Sequence, residues 1–236
     1  MIIFIVHIDI TKVNLLEETY KEVFSGYPWY EDLACKNCNA LYTKREIRED
    51  SKERVYPLRD LNKCLQCDSP LELISYYPEI VNQKKLIKEA MLMNGFIGYL
   101  ALFEDTPIGF SWGYKVPPNR TQSVNFSLIT SLLDEKNINP QSAFYGAETG
   151  VIETYQSKGI GSVLVSKRIL EAARKGYEFF IFRTINPKMR NIISDLFSGI
   201  PPVELFKDPE TKSPWFFWNF KDFDYNVAEN KIQRKK

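Results

Sequence analysis

"TYQSKGIGSVLV", residues 154–165, decides the fold. Before it, "SAFYGAETGVIE" (142–153) is rich in residues that suit a strand. After it, "SVLVSKRILEAARKG" (162–176) has helical periodicity, with Ile160, Val163, Leu164, Leu170 and Ala173 as its apolar positions and Gly176 as a stop. Gly159 and Gly161 therefore stand at a strand-to-helix junction. The first turn of a helix has unpaired N–H groups and a partial positive charge of about 0.5 e. Such a turn is an anion site, and glycines let a phosphate approach the backbone closely.

Three phosphate-binding turns compete for this stretch. A dinucleotide turn needs G-x-G-x-x-G, but Leu164 occupies the third glycine position. A P-loop needs G-x-x-x-x-G-K-[ST], which is absent. What remains is Gln156-x-x-Gly159-x-Gly161. This resembles the acyl-CoA turn of the GNAT superfamily of N-acetyltransferases, [QR]-x-x-G-x-[GA]. The order of elements extends the resemblance. The preceding strand, the following helix, the strand "YEFFIFRT" (177–184), Asn186 and the next helix come in that family's sequence, as do the upstream elements. Only the cysteine-bearing segment and residues 117–141 lie outside it.

The resemblance implies an α/β fold with a mixed, mostly antiparallel sheet and helices on both faces. It implies acetyl-CoA as cosubstrate and an amine as acceptor. The amides of Ser157, Lys158, Gly159, Ile160, Gly161 and Ser162 would meet the pyrophosphate, with Lys158 adding charge at the rim. Gln156 either closes the turn or donates to phosphate. In that family the strand before the turn splays from its neighbour and the pantetheine arm pairs with its backbone. Here that would be Val151, Ile152 and Glu153, with Gly150 marking where the splay begins. Glu148 stands where the family often keeps its base, and Glu153 is the second candidate. Asn186 is an N-cap, a pantetheine contact, or both. The family's frequent acid is a Tyr seven residues after that Asn. Ile193 stands there, a departure, and Ser194 is next to it. No cysteine lies near the glycines, so attack on the thioester is expected to be direct. The aromatics of "YPWY" (27–30) and "FSWGY" (110–114) are expected to border the acceptor channel or to pack in the core. His7, the only histidine, is expected to be a strand residue with no catalytic role.

All four cysteines fall in one region, as Cys35-x-x-Cys38 and Cys64-x-x-Cys67. Two such pairs in a reducing compartment are the signature of a tetrahedral Zn²⁺ site, each pair forming one knuckle. A closed shell of four sulfurs makes such a metal structural. The intervening sequence is polar and charge-mixed, so its order is expected to depend on the ion. The domain reading is then a GNAT-like unit made of 1–30 and 77–236, with a zinc-ribbon-like insertion at 31–76.

The rest of the chain agrees. At 236 residues with 44% hydrophobic and 14% aromatic content, the composition is globular. The balance of 31 basic and 30 acidic residues disfavours nucleic acid or an anionic membrane as partner. "MIIFIVHI" lacks a basic leader and a small-residue cleavage site, so it reads as a first strand; with no long apolar run, a cytoplasmic protein is expected. A helix is expected over 11–26, capped by Thr11, and another over 78–95 ending at Gly95. A hairpin is expected over 96–116 with its turn around Thr106. Residues 117–141 read as a loop with a short helix at 127–135. Asn186 and Pro187 open a helix to about Ser198, and 201–208 and 213–223 are final strands. "KIQRKK" (231–236) reads as a solvated end.

The enzyme reading has one rival, a catalytically inactive acyl-CoA-binding domain whose zinc ribbon docks a protein or nucleic acid. Nothing in the residues chooses among protein lysines, N-termini, polyamines and small amine metabolites as acceptor. Oligomeric state and acyl-chain length are equally open.

Overall fold

The structure, a computed structural model, describes residues 2–26, 29–47, 55–59, 61–117, 126–184, 186–208 and 213–233. In chain order it has β1 (Phe4–His7), α1 (Val13–Ser25), four short strands β2 (Leu33–Cys35), β3 (Leu41–Thr43), β4 (Val55–Pro57) and β5 (Leu73–Ser75), then α2 (Gln83–Leu92). The hairpin β6 (Ile97–Phe103) and β7 (Thr106–Lys115) is followed by α3 (Phe126–Glu135) and β8 (Ala143–Val151). Then come α4 (Ile160–Arg174), β9 (Phe179–Arg183), α5 (Pro187–Leu196), β10 (Val203–Lys207), β11 (Pro214–Asn219) and α6 (Tyr225–Gln233).

Seven strands form the main sheet in the order β1-β6-β7-β8-β9-β11-β10. Every neighbour pair is antiparallel except β8 and β9. That parallel pair needs a crossover, and α4 supplies it. One face packs against α1, α2 and α3 through Leu16, Tyr20, Val23, Ile87, Ile129 and Leu133. The other packs against α4, α5 and α6 through Leu164, Ile169, Ile193, Leu196 and Ala228. This is the expected mixed, mostly antiparallel α/β architecture. The four short strands form a second sheet, β4-β3-β2-β5, between α1 and α2 in sequence.

Several local expectations need correction. Thr11 is not the helix cap: Asp9 caps a 3₁₀ turn at Ile10–Lys12 by accepting from the Thr11 amide at 3.0 Å. The helix expected from residue 78 starts at Gln83, because Asn82 caps it by accepting from the Lys85 N–H at 2.8 Å. The hairpin turn is Glu104-Asp105, both at positive φ, and Thr106 already belongs to β7. The sequence after 223 is not merely an end. Asp224 accepts from the Val227 N–H, and α6 buries Ala228 and ties Lys231 to Asp195 at 3.0 Å. Residues 234–236 of "KIQRKK", residues 118–125 of the expected loop, and Tyr27 and Pro28 of "YPWY" lie outside the described residues.

Candidate functional site

The main sheet opens at its centre. β8 pairs with β9 from Ala143↔Phe179 to Gly146↔Phe182, and the pairing goes no further. On its other side β8 stays paired with β7 as far as Val151. A bulge separates the two regimes: Trp112 faces Glu148 and Gly113 faces Gly146, which leaves Ala147 as the extra residue. The splay therefore begins at Gly146 and Ala147, not at Gly150. Gly150 has another reason to be glycine, since a Cβ there would lie 2.3 Å from Val23 Cγ1 on α1.

Backbone groups line the gap. In an antiparallel ladder, alternate residues turn their N–H and C=O groups to opposite sides. The Ile152 N–H donates to the Ile108 carbonyl at 3.0 Å, so it is committed to β7. Val151 consequently turns its groups toward the side that β9 has vacated. Its carbonyl there accepts from Gln156 Nε2 at 3.0 Å, so Gln156 closes the turn.

At the end of the gap lies the glycine turn. After a 3₁₀ turn at Glu153–Tyr155, Ser157 and Gly159 adopt φ of 60° and 79°. Gly159 is the N-cap of α4, and its left-handed φ favours glycine. Gly161 is different. A Cβ added there meets only Val151 Cγ2, at an ordinary 3.7 Å. The fold itself tolerates a side chain at 161. The amides of 157–162 have no backbone partner among the described residues, as the first turn of a helix requires. Ile160 is buried in the core, so only its amide can serve a ligand. Lys158 Nζ reaches the Thr154 carbonyl at 3.0 Å and lies over the Tyr155 ring. These donors and the open space at 161 fit a pyrophosphate.

Glu148, half-buried opposite Trp112, projects to the α1 side. There burial, together with the charges of Glu148 and Glu31, holds the Tyr20 phenol well above its usual range. Tyr20 meets Tyr77 edge to face, with ring centres 5.8 Å apart, and Tyr77 donates to Glu31 Oε2 at 2.6 Å. Burial and the same two carboxylates raise the Tyr77 phenol as well. Phe110 and Trp112 stack on Tyr20, so these members of "FSWGY" are core residues that also wall this cluster. Glu153, the second candidate base, sits at the turn and pairs with Arg45 at 3.4 Å.

Behind the bulge is Arg168 on α4, 2% exposed. Its Nη1 donates to the carbonyls of Trp112 (2.8 Å) and Glu148 (3.1 Å) and to Thr149 Oγ1 (3.1 Å). Burial lowers its pKa to about 9, which leaves the guanidinium charged at neutral pH. The side chain ties α4 to both strands at the bulge. Replacing Arg168 with Met is expected to destabilise the fold by about 1–3 kcal/mol through the carbonyls it leaves short of a donor. An unchanged denaturant midpoint would show that the bulge does not depend on it.

The four cysteines converge. None is in a disulfide, and their Sγ atoms all lie within 4.8 Å of one another. Cys35–Cys67 is 4.0 Å and Cys38–Cys64 is 3.6 Å. A tetrahedral ion with metal–sulfur bonds of ~2.3 Å has edges of about 3.8 Å, so the donor set fits a metal. Burial pushes the Cys64 thiol up. The Tyr42 hydroxyl at 3.3 Å and the amides of Cys67 and Gln66 outweigh it and bring the thiol below its usual range. Cys35, Ala40, Tyr42 and Cys64 are the buried centre of this small sheet.

Asn186 acts as N-cap, its Oδ1 accepting from Lys188 N (2.9 Å) and Met189 N (3.4 Å). Ile193 is fully buried between α5 and its neighbours. His7 lies on β1 beside Tyr99, far in the sheet order from the gap. Sequence reading missed Tyr20, Tyr77, Glu31 and Arg168 as site residues. Only Arg168 left a signal, a charge at the i+4 step of the buried stripe Ile160, Leu164, Arg168, Ala172.

No family model matches the chain, and no curated protein does. Among solved structures, the GNAT domain of S. lividans PAT aligns at 13% identity over 91% of this chain and 89% of that one, with a TM-score of 0.50. A Staphylococcus aureus acetyltransferase of the GNAT family follows at 11% identity, 92% and 99% coverage and 0.49. The PaiA N-acetyltransferase of Thermoplasma acidophilum, solved with coenzyme A, aligns at 13% identity, 93% and 99% coverage and 0.48. With its sheet opened between β8 and β9 and a glycine turn at the head of the crossover helix, the chain has the GNAT fold.

Proposed function

We propose that the protein transfers an acyl group, in the simplest case acetyl, from acyl-CoA directly to an amine. The observation that carries this reading is the gap itself. One strand edge is unpaired beyond Gly146↔Phe182, and a helix N-terminus with free amides stands at its end. An extended pantetheine arm can pair with such an edge as an added strand would. The amides of 157–162 then receive the pyrophosphate, and the outward N–H of Val151 is placed to donate to the thioester oxygen as charge develops there. Glu148 takes the proton of the attacking amine, directly or through water. The new C–N bond forms as C–S breaks, and the thiolate departs as free CoA. Asn186 orders α5. Residues 31–76 form an inserted unit held by one structural Zn²⁺ on Cys35, Cys38, Cys64 and Cys67.

A second reading, acyl-CoA binding without turnover, is favoured only by Ile193, whose burial leaves no acid at that position. Thiol release from acetyl-CoA over an amine panel separates the two. Binding itself is tested at Gly161. Because the protein has room for a Cβ there, Gly161→Val is expected to fold normally and weaken acetyl-CoA binding about tenfold or more by crowding the pyrophosphate. Equal affinity of wild type and variant in calorimetry would remove the turn from the site.

A further inference from the structure

Two carboxylates, not one, flank the aromatic cluster on the α1 side of the sheet. Glu148 comes from β8 and Glu31 from the chain just before β2, and a touching pair of phenols, Tyr20 and Tyr77, lies between them. Both phenols feel the charge of both carboxylates. Aromatic rings surround the group: Trp112 and Phe24 against Tyr20, Trp29 against Phe24, and Tyr76 against Tyr77.

The four-cysteine sheet is what brings Glu31 and Tyr77 together. Glu31 lies two residues before β2, and Tyr77 two residues after β5. These strands pair with Leu33 opposite Ser75, and the Tyr76 N–H continues the ladder to the Asp32 carbonyl at 3.0 Å. Cys35, one of the clustered thiols, is itself in β2. The small sheet thus carries half of the acceptor side.

Deprotonating one amine takes one carboxylate. A second carboxylate among aromatic faces is the chemistry that holds an ammonium, through a charge-assisted hydrogen bond and the ring faces. We propose that the acceptor is an alkyl diamine or polyamine, with its reacting nitrogen beside Glu148 and a second, protonated nitrogen held by Glu31. This rests on the acyl-transfer reading. Glu31 is then a specificity-determining residue delivered by the cysteine module.

The test compares 1,4-diaminobutane with butylamine, which has the same chain length and lacks the second charge. Thiol release is measured with full-length, metal-loaded protein. Wild type is expected to prefer the diamine in kcat/KM by about tenfold or more, since a charge-assisted hydrogen bond is worth that much. In Glu31→Gln the preference should collapse toward one. Glu18→Gln removes an exposed carboxylate of α1 outside the cluster and should keep the preference. Equal use of the two amines by wild type overturns the proposal and leaves acyl transfer standing. So does a preference that survives in Glu31→Gln, or one lost equally in Glu18→Gln, which would assign the effect to overall charge. Calorimetric binding of the diamine supplies a readout independent of turnover. Glu31-dependent binding with no thiol release from any amine would refute acyl transfer and keep the diamine site.

Discussion

Glu148→Gln is expected to lower turnover by about 10²–10⁴ while acetyl-CoA affinity stays near wild type. The amide keeps the size of the side chain, so the α1 side should keep its packing. What it loses is the ability to take a proton. An amine substrate arrives largely protonated at neutral pH, and the variant must then wait for the small free-base fraction. The deficit should accordingly shrink as pH rises toward the amine's own pKa. Cofactor binding should hardly change, because the residues at the gap and the turn (Val151, Gln156 and the amides of 157–162) are untouched. A rate–pH profile at saturating acetyl-CoA is the measurement. Wild-type turnover at neutral pH would take the base role from Glu148 and pass it to Glu153 or to water.

Removing the metal is expected to act on the other substrate. The small sheet has few buried residues, and two of them, Cys35 and Cys64, are thiols of the cluster. Metal ligation is then a large share of what orders it. Cys64→Ser, or exhaustive chelation, should release the protection of β2, β3 and β5 in hydrogen exchange. It should raise the acceptor KM about tenfold or more, because Glu31 and Tyr77 are held together by the β2–β5 pairing. Acetyl-CoA affinity should shift by less than about fivefold. The module's described ion pair with the segment before the glycine turn is Arg45–Glu153, and both side chains are well exposed, so it is worth no more than about 1 kcal/mol. Elemental analysis should find one zinc per chain. Protein purified without chelator and lacking zinc would refute the site, and a metal bound by oxygen or nitrogen would reopen a role in the chemistry.

The parts of this molecule legible in its sequence are those whose physics is local. Gly159 and Gly161 advertise a turn because glycine alone accepts φ of 79° without strain and leaves space at 161. Asn186 and Pro187 announce a helix start through a cap bond two residues away. The spacing of Cys35, Cys38, Cys64 and Cys67 describes two knuckles whatever surrounds them. From these and the order of elements, the α/β architecture and the glycine turn at the head of α4 followed. The splay was expected but misplaced at Gly150, whose glycine answers to the close approach of Val23 on α1. Its true position is a bulge at Ala147, set by the register of β7 against β8. Helix α6 was missed because its short apolar face has a partner only once α4 is in place.

What the chain by itself determined, then, is most elements of the main sheet and its helices, the glycine turn and the pairing of the cysteines, each encoded within a few residues. Tertiary structure alone decided which groups meet on the two faces of the sheet. Tyr77 reaches Glu31 across 46 positions and Arg168 reaches the Trp112 carbonyl across 56. Those contacts depend on strand register and helix docking, and no periodicity in a single segment records them. The direction of the Val151 backbone is likewise a property of a ladder with β7, because only a paired strand has one side committed and the other free.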